Sequence, residues 1–429
     1  MSMNFHDEHE TEVSGRNRTG RAFDSRRVHS IVRDVRQPLR ILMLLHMPWN
    51  ENLGGPKPQI ELAREFEKLG HKVEKYDLFD AFPKMKARHS RIRELIRPSF
   101  SSRAKAFVKA NARRFDIIDC HHSNLPFSKA ELGFRGLLVA RSAGLYALYE
   151  QFASFAEQKW PSQRKGHPIA ELLRRWRANR EAPSFPASLQ TCDLINVSNV
   201  DERACLAGMG LAEKCVVIPL GVSREQRDEF ARAARPAAER LSHKNVVFIG
   251  SWSPRKGSKD WGEIVRRVKQ RVPKVRFSFL GTGFDDKTVL SDLGLSSEDW
   301  IEVIPRYDNK DLPRLLSEAT VGGFPSYIEG FGLAVLEQLA AGLPTVAYDA
   351  PGPRETLRHL ESSWLVPPGD KEKFSDELVK LLTIDPTIYG RLSEACQEVA
   401  VMFSWPEIAE RTLEVYSRSL ESIQSNGSL

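Results

Sequence analysis

Cysteine is scarce and scattered in this sequence. Cys120, Cys192, Cys205, Cys215 and Cys396 form no CxxC pair and no metal-ligand spacing, which argues against a disulfide framework and against a structural zinc site. Long apolar runs are lacking as well. The longest candidates, residues 41–45 and 136–140, are strand-sized, well short of the roughly 18–20 apolar residues that cross a bilayer. The first 38 residues are polar and hold no signal-peptide core. These absences together predict a reducing, cytoplasmic location. Strong compositional bias is missing too. With 41% hydrophobic and 28% charged residues, the chain is ordinary for a globular protein, which excludes collagen-like, fibrous coiled-coil and wholly disordered classes. A length of 429 residues predicts two or three domains at about 150 residues each.

What the chain does have is a concentrated charge. From Lys84 to Arg114 there are 11 Lys or Arg residues against the single acid Glu94. That stretch carries +10 while the whole chain carries +7, so the remainder sums to −3. A block of one sign is either a solvated helix face or a surface for an anionic partner. Ile92, Leu95, Ile96, Phe100, Phe107 and Val108 interleave apolar residues with the charge. A basic amphipathic stretch of this kind suits an anionic membrane surface, and an acidic glycan is the alternative ligand. No aromatic platform or DNA-binding motif accompanies the charge, so nucleic acid is not an expected partner.

Residues 1–38 are polar and charged and read as a mostly disordered leader. The period then alternates between short apolar runs and helical patterns. Strands are predicted over 40–46, 71–77, 115–121, 136–141, 192–198 and 215–219, and again over 245–250, 275–281, 300–304, 320–325, 343–348 and 363–366. A glycine turn at Gly54-Gly55 leads into a helix with Leu62, Phe66 and Leu69 on one face, ended by Gly70. Alternation of strand and helix implies parallel sheets covered on both faces. Two such series, split by a charged helical linker, imply an α/β protein of two doubly wound, Rossmann-like domains: residues 39–222 and 244–404, with the linker at 223–243 and a final helix at 405–429. Sites in such sheets lie beyond the carboxyl ends of the strands, here in the cleft between the domains.

The most informative stretch runs from Pro325 through Ser326, Glu329, Gly330, Phe331, Gly332, Leu333 and Ala334 to Glu337. It follows a strand and opens a helix predicted to reach Ala341 and stop at Gly342. The free amides of Gly332, Leu333 and Ala334, with about half a unit of positive charge at the helix start, make an anion site suited to a diphosphate. Glu329 precedes the helix and Glu337 lies inside it. Each carboxylate can accept two hydrogen bonds from neighbouring hydroxyls, as a sugar diol offers.

Glu329 to Glu337 matches the E-x(7)-E signature, and the chain resembles the retaining GT-B glycosyltransferases, most closely family 4. Gly250-Ser251-Trp252-Ser253-Pro254-Arg255-Lys256-Gly257, Ala341-Gly342-Leu343-Pro344, Pro351-Gly352-Pro353-Arg354-Glu355, Val217-Ile218-Pro219-Leu220-Gly221-Val222 and Phe403-Ser404-Trp405 resemble further family motifs in the same order. The resemblance covers roughly residues 39–420. It implies the GT-B fold, with the first domain on the acceptor side, the second binding a nucleotide sugar, and the last helix crossing back. It implies that Lys256 contacts the donor diphosphate and that Glu337 holds the ribose hydroxyls. Glu329 then faces the transferred sugar, which makes Glu329 and Lys256 the catalytic pair. Arg255, Gly330, Phe331, Gly332 and Leu333 complete the donor loop, Gly54 and Gly55 close over the diphosphate, and Tyr307 lies near the base. Neither a metal nor a cofactor is implied, the nucleoside-diphosphate sugar being the donor substrate. The expected function is a hexosyltransferase-like retaining transferase of polysaccharide biosynthesis, acting on a saccharide or lipid-linked acceptor.

Two positions depart from the pattern. Ser251 stands where the family usually has an arginine, with Arg255 available to supply the charge, and Ala143 stands where a histidine is usual, with His121 and His122 as substitutes. These departures keep open a catalytically degenerate GT-B protein that binds nucleotide or saccharide as a scaffold. A glycosidase using Glu329 and Glu337 is a third possibility. Asp285-Asp286 is a short acidic pair in a loop, without the context of a metal-dependent transferase.

Overall fold

A computed structural model describes residues 37–83, 99–161 and 184–426. Residues 1–36 of the leader, residues 84–98 of the basic stretch, 162–183 and 427–429 lie outside the described residues. Two six-stranded sheets organise the rest. The first has the order β2-β1-β3-β4-β5-β6, from β1 (Arg40–Leu44), β2 (Lys72–Tyr76), β3 (Ile117–His121), β4 (Leu137–Arg141), β5 (Leu194–Val197) and β6 (Cys215–Val217). The second has the order β12-β11-β10-β7-β8-β9, from β7 (Asn245–Ile249), β8 (Arg276–Leu280), β9 (Ile301–Ile304), β10 (Val321–Phe324), β11 (Thr345–Tyr348) and β12 (Leu365–Val366). Every strand pair is parallel. All twelve predicted strands are present, each trimmed by one to three residues.

The strands are continuous apolar runs because both faces are covered. In β1, Ile41 and Met43 join one core while Leu42 and Leu44 join another on the opposite face. Ile117 and Ile118 of β3 divide in the same way, as do Leu137 and Leu138 of β4. This is the two-residue period of a strand with helices on both sides. In the Lys57–Lys68 helix, Leu62 and Phe66 are buried as predicted. Leu69 is not; it is the C-cap residue and stands exposed.

Strand order decides where the chemistry lies. In the second sheet β7 has β8 on one side and β10 on the other. The chain reverses its direction of winding there, so the loops after β7 and β10 leave on either side of a crevice. The first sheet does the same between β1 and β3.

The long Trp405–Asn426 helix returns from the second half to the first. Its root is fixed where Val222 and Ser404 form a bridge, with the Val222 amide bonded to Phe403 O at 2.9 Å. Further along, Tyr416 packs edge-on to Phe66 and reaches β3 and β4. No helix among the described residues is long and apolar enough to cross a membrane.

The described part of the basic stretch corrects one expectation. Val108 is fully buried, Phe107 stacks on Tyr76 at 4.2 Å, and Phe100 packs against His46 and Tyr76. In the Phe100–Asn111 helix the apolar side chains therefore face the first sheet, because that sheet needs cover on this side. They do not form a lipid-facing stripe.

Candidate functional site

The loop after β7 carries a short helical turn, Pro254–Lys256, closed by Gly257. Gly257 has φ +79°, and a Cβ there would come within 2.3 Å of Pro325 O. Only glycine allows this approach, and it brings the β7 loop onto the exit of β10. The Tyr327 amide then bonds to Arg255 O at 2.9 Å.

The two loops deliver three charges to one point. Glu329 accepts from Arg255 Nη1 at 2.8 Å and from Ser326 Oγ at 2.6 Å, and pairs with Lys256 Nζ at 2.7 Å. Glu329 is 8% exposed and the Lys256 side chain 12%. Burial alone would raise the Glu329 carboxyl; Lys256 and then Arg255 overcome that and hold it below its ordinary value. Burial lowers the Lys256 ammonium against the opposing pull of Glu329. Two cations on one carboxylate leave a surplus positive charge, the balance an anionic ligand requires.

Gly332 begins the next helix, Leu333–Ala340, in the left-handed conformation with φ +80°. The predicted end at Ala341 is one residue long, since Ala341 is the C-cap, with Gly342 following. Gly332, Leu333 and Ala334 therefore sit at a helix N-terminus as expected. Phe331 does not offer its ring to the cleft: it is 2% exposed and packs on Phe403 at 5.6 Å. Only its backbone is available there. Gly330 is held by the first half of the chain. Its carbonyl accepts from Ser198 Oγ at 2.8 Å and from Asn199 Nδ2, and a Cβ on it would meet Ala143 O at 2.4 Å.

Glu337, 8% exposed, takes a cation that sequence reasoning missed. Lys57 Nζ lies 2.5 Å from its Oε1, and Gln226 of the linker helix approaches the same oxygen at 3.4 Å. Lys57 did leave a signal. It is the first residue of its helix, whose first turn has no acid, and a cation there opposes the helix dipole. Such a placement asks for a partner elsewhere. Tyr149 was also missed; its ring lies under the Arg255 guanidinium at 5.3 Å.

Tyr307 packs over Gly281 and feels the Glu337 carboxylate, which together with the larger effect of burial pushes its hydroxyl up. It is thus on the Glu337 side of the site. Gly54 and Gly55 lie in the loop leading to Lys57. A Cβ on Gly54 would meet nothing within 4 Å, and one on Gly55 would meet only the Met47 side chain. Ser251 is exposed. His121 and His122 end β3 beside His46, with ring centroids 4.9 Å apart for His46–His121 and 4.3 Å for His121–His122. Burial pushes the His122 imidazole down to about 4, and His121 well below its ordinary value. Asp285 caps the helix that starts at Asp286, accepting from the Thr288 amide at 3.0 Å. Among the described residues no cluster of three or more His, Cys, Asp or Glu could hold a metal.

Residues 243–383 match the family model described as "Glycosyl transferases group 1". Among curated proteins, a D-inositol 3-phosphate glycosyltransferase of Mycobacteroides abscessus is 26% identical over 298 residues, 64% of this chain and 65% of that protein. A phosphatidyl-myo-inositol mannosyltransferase of Mycobacterium leprae is 30% identical over 236 residues, 54% of this chain and 60% of its own. The chain thus spans just under two thirds of the length of these relatives. Among solved structures, the sucrose-phosphate synthase of Thermosynechococcus elongatus aligns with a TM-score of 0.68 at 19% identity, covering 89% of this chain and 100% of that one. HepE of Anabaena, in complex with UDP and glucose, aligns at 0.60 with 17% identity and the same coverage. The chain has the GT-B fold, and its residues 243–383, which hold the second sheet and the loops that leave it, are similar to the glycosyl transferases of group 1.

Proposed function

We propose that this protein is a retaining glycosyltransferase that moves a sugar from a nucleoside-diphosphate sugar to a hydroxyl acceptor. The observation that carries the proposal is the meeting of Arg255, Lys256 and Glu329 at the switch point of the second sheet, beside the helix start at Gly332. Lys256, Arg255 and the amides of Leu333 and Ala334 would stabilise the diphosphate as it leaves. Charge grows on it as the anomeric bond breaks, so these groups act more strongly in the transition state than before it. The same positive groups do the neutralising that a divalent ion does elsewhere, which supports a metal-independent reaction with no cofactor. Glu337 would hold the ribose hydroxyls, Tyr307 would lie by the base, and the loop of Gly54 and Gly55 would close over the diphosphate. Glu329 would orient the transferred sugar for attack from the face the diphosphate leaves, and the departing phosphate would take the acceptor proton.

UDP is the first nucleotide to test, because the fold relative HepE binds UDP and glucose. Two of the curated relatives are transferases named for D-inositol 3-phosphate and phosphatidyl-myo-inositol, which supports a saccharide or lipid-linked acceptor at the first sheet. A cytoplasmic enzyme drawn to an anionic membrane surface by the positive charge between Lys84 and Arg114, without insertion of Phe100, Phe107 or Val108, fits that acceptor class.

The deciding measurement is release of nucleoside diphosphate with and without acceptor, for the wild type and Glu329→Gln. The substitution keeps the shape and removes the charge, so turnover should fall by at least about tenfold while nucleotide still binds. A binding scaffold predicts no release from the wild type with any donor. That outcome would turn the exposed Ser251 and the absence of a histidine at 143 into the decisive features.

A further inference from the structure

The groups assigned to the donor are engaged with one another, and the nucleoside half is covered by a strap. The loop from Glu51 to Lys57 comes from the first half of the chain and touches the second half at two places. The Asn309 amide bonds to Asn52 Oδ1 at 3.0 Å and Asn309 Nδ2 donates to Glu51 O, two residues from Tyr307. At the other end Lys57 Nζ meets Glu337 Oε1 at 2.5 Å, with Gln226 Oε1 at 3.4 Å from the same ammonium. The strap therefore lies over the two residues that would receive base and ribose. Cavities of about 500 and 730 Å³ open beside β2, and neither is lined by Lys57, Lys256, Tyr307, Glu329 or Glu337.

We propose that Lys57 and Glu337 form a latch that a nucleotide must displace, and that the released Lys57 ammonium then serves the donor phosphates. This rests on the nucleotide-sugar reading above. A ribose diol is neutral. It can satisfy the oxygens of Glu337 but cannot replace the charge Lys57 brings, so a nucleoside without phosphates leaves a buried ammonium without its carboxylate. Breaking a buried ion pair on one side is costly for that reason. A nucleoside diphosphate removes the conflict, because its anionic oxygens give Lys57 a new partner. With Lys57, Lys256 and Arg255 set against Glu329 and Glu337, the protein offers a surplus of one positive charge to the incoming diphosphate; without Lys57 it offers none. The latch thus selects for ligands that carry phosphate and couples their arrival to the strap that joins the two halves.

The test uses the full chain and three nucleoside and nucleoside-diphosphate pairs: uridine and UDP, guanosine and GDP, adenosine and ADP. Calorimetry gives both affinities for the pair that the wild type binds best. In Lys57→Met, which keeps length and removes charge, the nucleoside should bind about fivefold to tenfold tighter. The advantage of the diphosphate over its nucleoside should shrink by about tenfold or more. Nucleoside binding that is unchanged or weaker, or an unchanged diphosphate advantage, overturns the latch. If the variant fails to fold, amine acylation of wild-type Lys57, read by mass spectrometry, decides instead. Labelling should be slow without ligand, several-fold faster with saturating nucleoside, and slow again with the diphosphate; equal rates with and without nucleoside overturn the proposal. A wild type that binds no nucleoside diphosphate at all removes the donor reading and the latch with it, whereas diphosphate binding without these differences removes the latch alone.

Discussion

Single carboxylates in this protein are set in opposite directions by their surroundings. Glu329 is buried with two cations and stays ionised, since Lys256 and Arg255 outweigh desolvation. Glu202 is equally buried but meets no cation that offsets its burial. Burial pushes its carboxyl up to about 7, against hydrogen bonds such as that from the Leu145 amide at 2.8 Å. A folded value above the ordinary 4.5 means that the folded state binds the proton more tightly. Stability from this group is then full below about pH 4.5, declines as pH rises towards 7, and is flat beyond. Glu202→Gln cannot ionise and lacks that slope. Between pH 5 and pH 8 the wild type should lose roughly 2 kcal/mol more than the variant, at about 1.4 kcal/mol per unit. Urea unfolding at both pH values measures the difference, and parallel losses would show that Glu202 does not titrate in that window. The same residue is the third in its helix, two positions beyond Val200, whose amide bonds to Glu355 of the second half at 3.0 Å. The pH effect should therefore be felt at the seam between the halves.

At the scale of elements, the turn after β7 is the hinge on which the site depends. Gly257 combines φ +79° with Pro325 O at 2.3 Å from the missing Cβ, so two costs coincide. Gly257→Ala should destabilise by on the order of 1–3 kcal/mol. It should also part Lys256 from Glu329, raising the donor Michaelis constant more than a surface substitution of equal destabilisation does. Kinetics at a temperature where the variant remains folded separate the two effects. The strands and the signature loop were legible in the sequence because each is a local pattern: an apolar run between turn residues, or glycines before a helix. Asn245–Ile249 and Val321–Phe324 could be read in isolation, and so could the helix start at Gly332. Lys57 could not, because its partner lies 280 residues away and only the fold brings them together. The direction of the Phe331 ring could not be read either, because a motif position does not say which way a ring turns. Phe403 claims that ring from a distant segment. Phe107 and Val108 look amphipathic in the sequence whether the cover is lipid or a sheet.

At the scale of the whole molecule, the chain crosses between its halves twice, and the second crossing is locked by a buried polar knot. Arg141 at the end of β4 donates to Asp119 of β3 through Nε at 3.0 and 3.1 Å and through Nη2 at 2.7 Å. Tyr416 of the final helix accepts from Arg141 Nη2 at 2.8 Å and donates to Asp119 Oδ2 at 2.5 Å. Asp119 and Tyr416 are fully buried, and the Arg141 side chain is 4% exposed. Each member is satisfied only because the other two are present, so the three substitutions differ in kind. Tyr416→Phe removes one hydroxyl and leaves the ion pair whole, which should cost about 1–3 kcal/mol. Asp119→Asn leaves the Arg141 guanidinium buried without a countercharge, which should cost about 3–5 kcal/mol. The two also separate in function. Loss of the Tyr416 hydroxyl frees the final helix from the first sheet while both sheets keep their own cores. Its effect should therefore appear in how the halves move against each other, as an altered turnover with little change in nucleotide affinity. Asp119→Asn acts on the first sheet itself and should lower the unfolding midpoint without that split. A Tyr416→Phe variant with unchanged stability and turnover would mean that the helix and the ion pair are not one unit. The crossing would then be held by the apolar contacts of Trp405, Ile408 and Leu413 rather than by the knot.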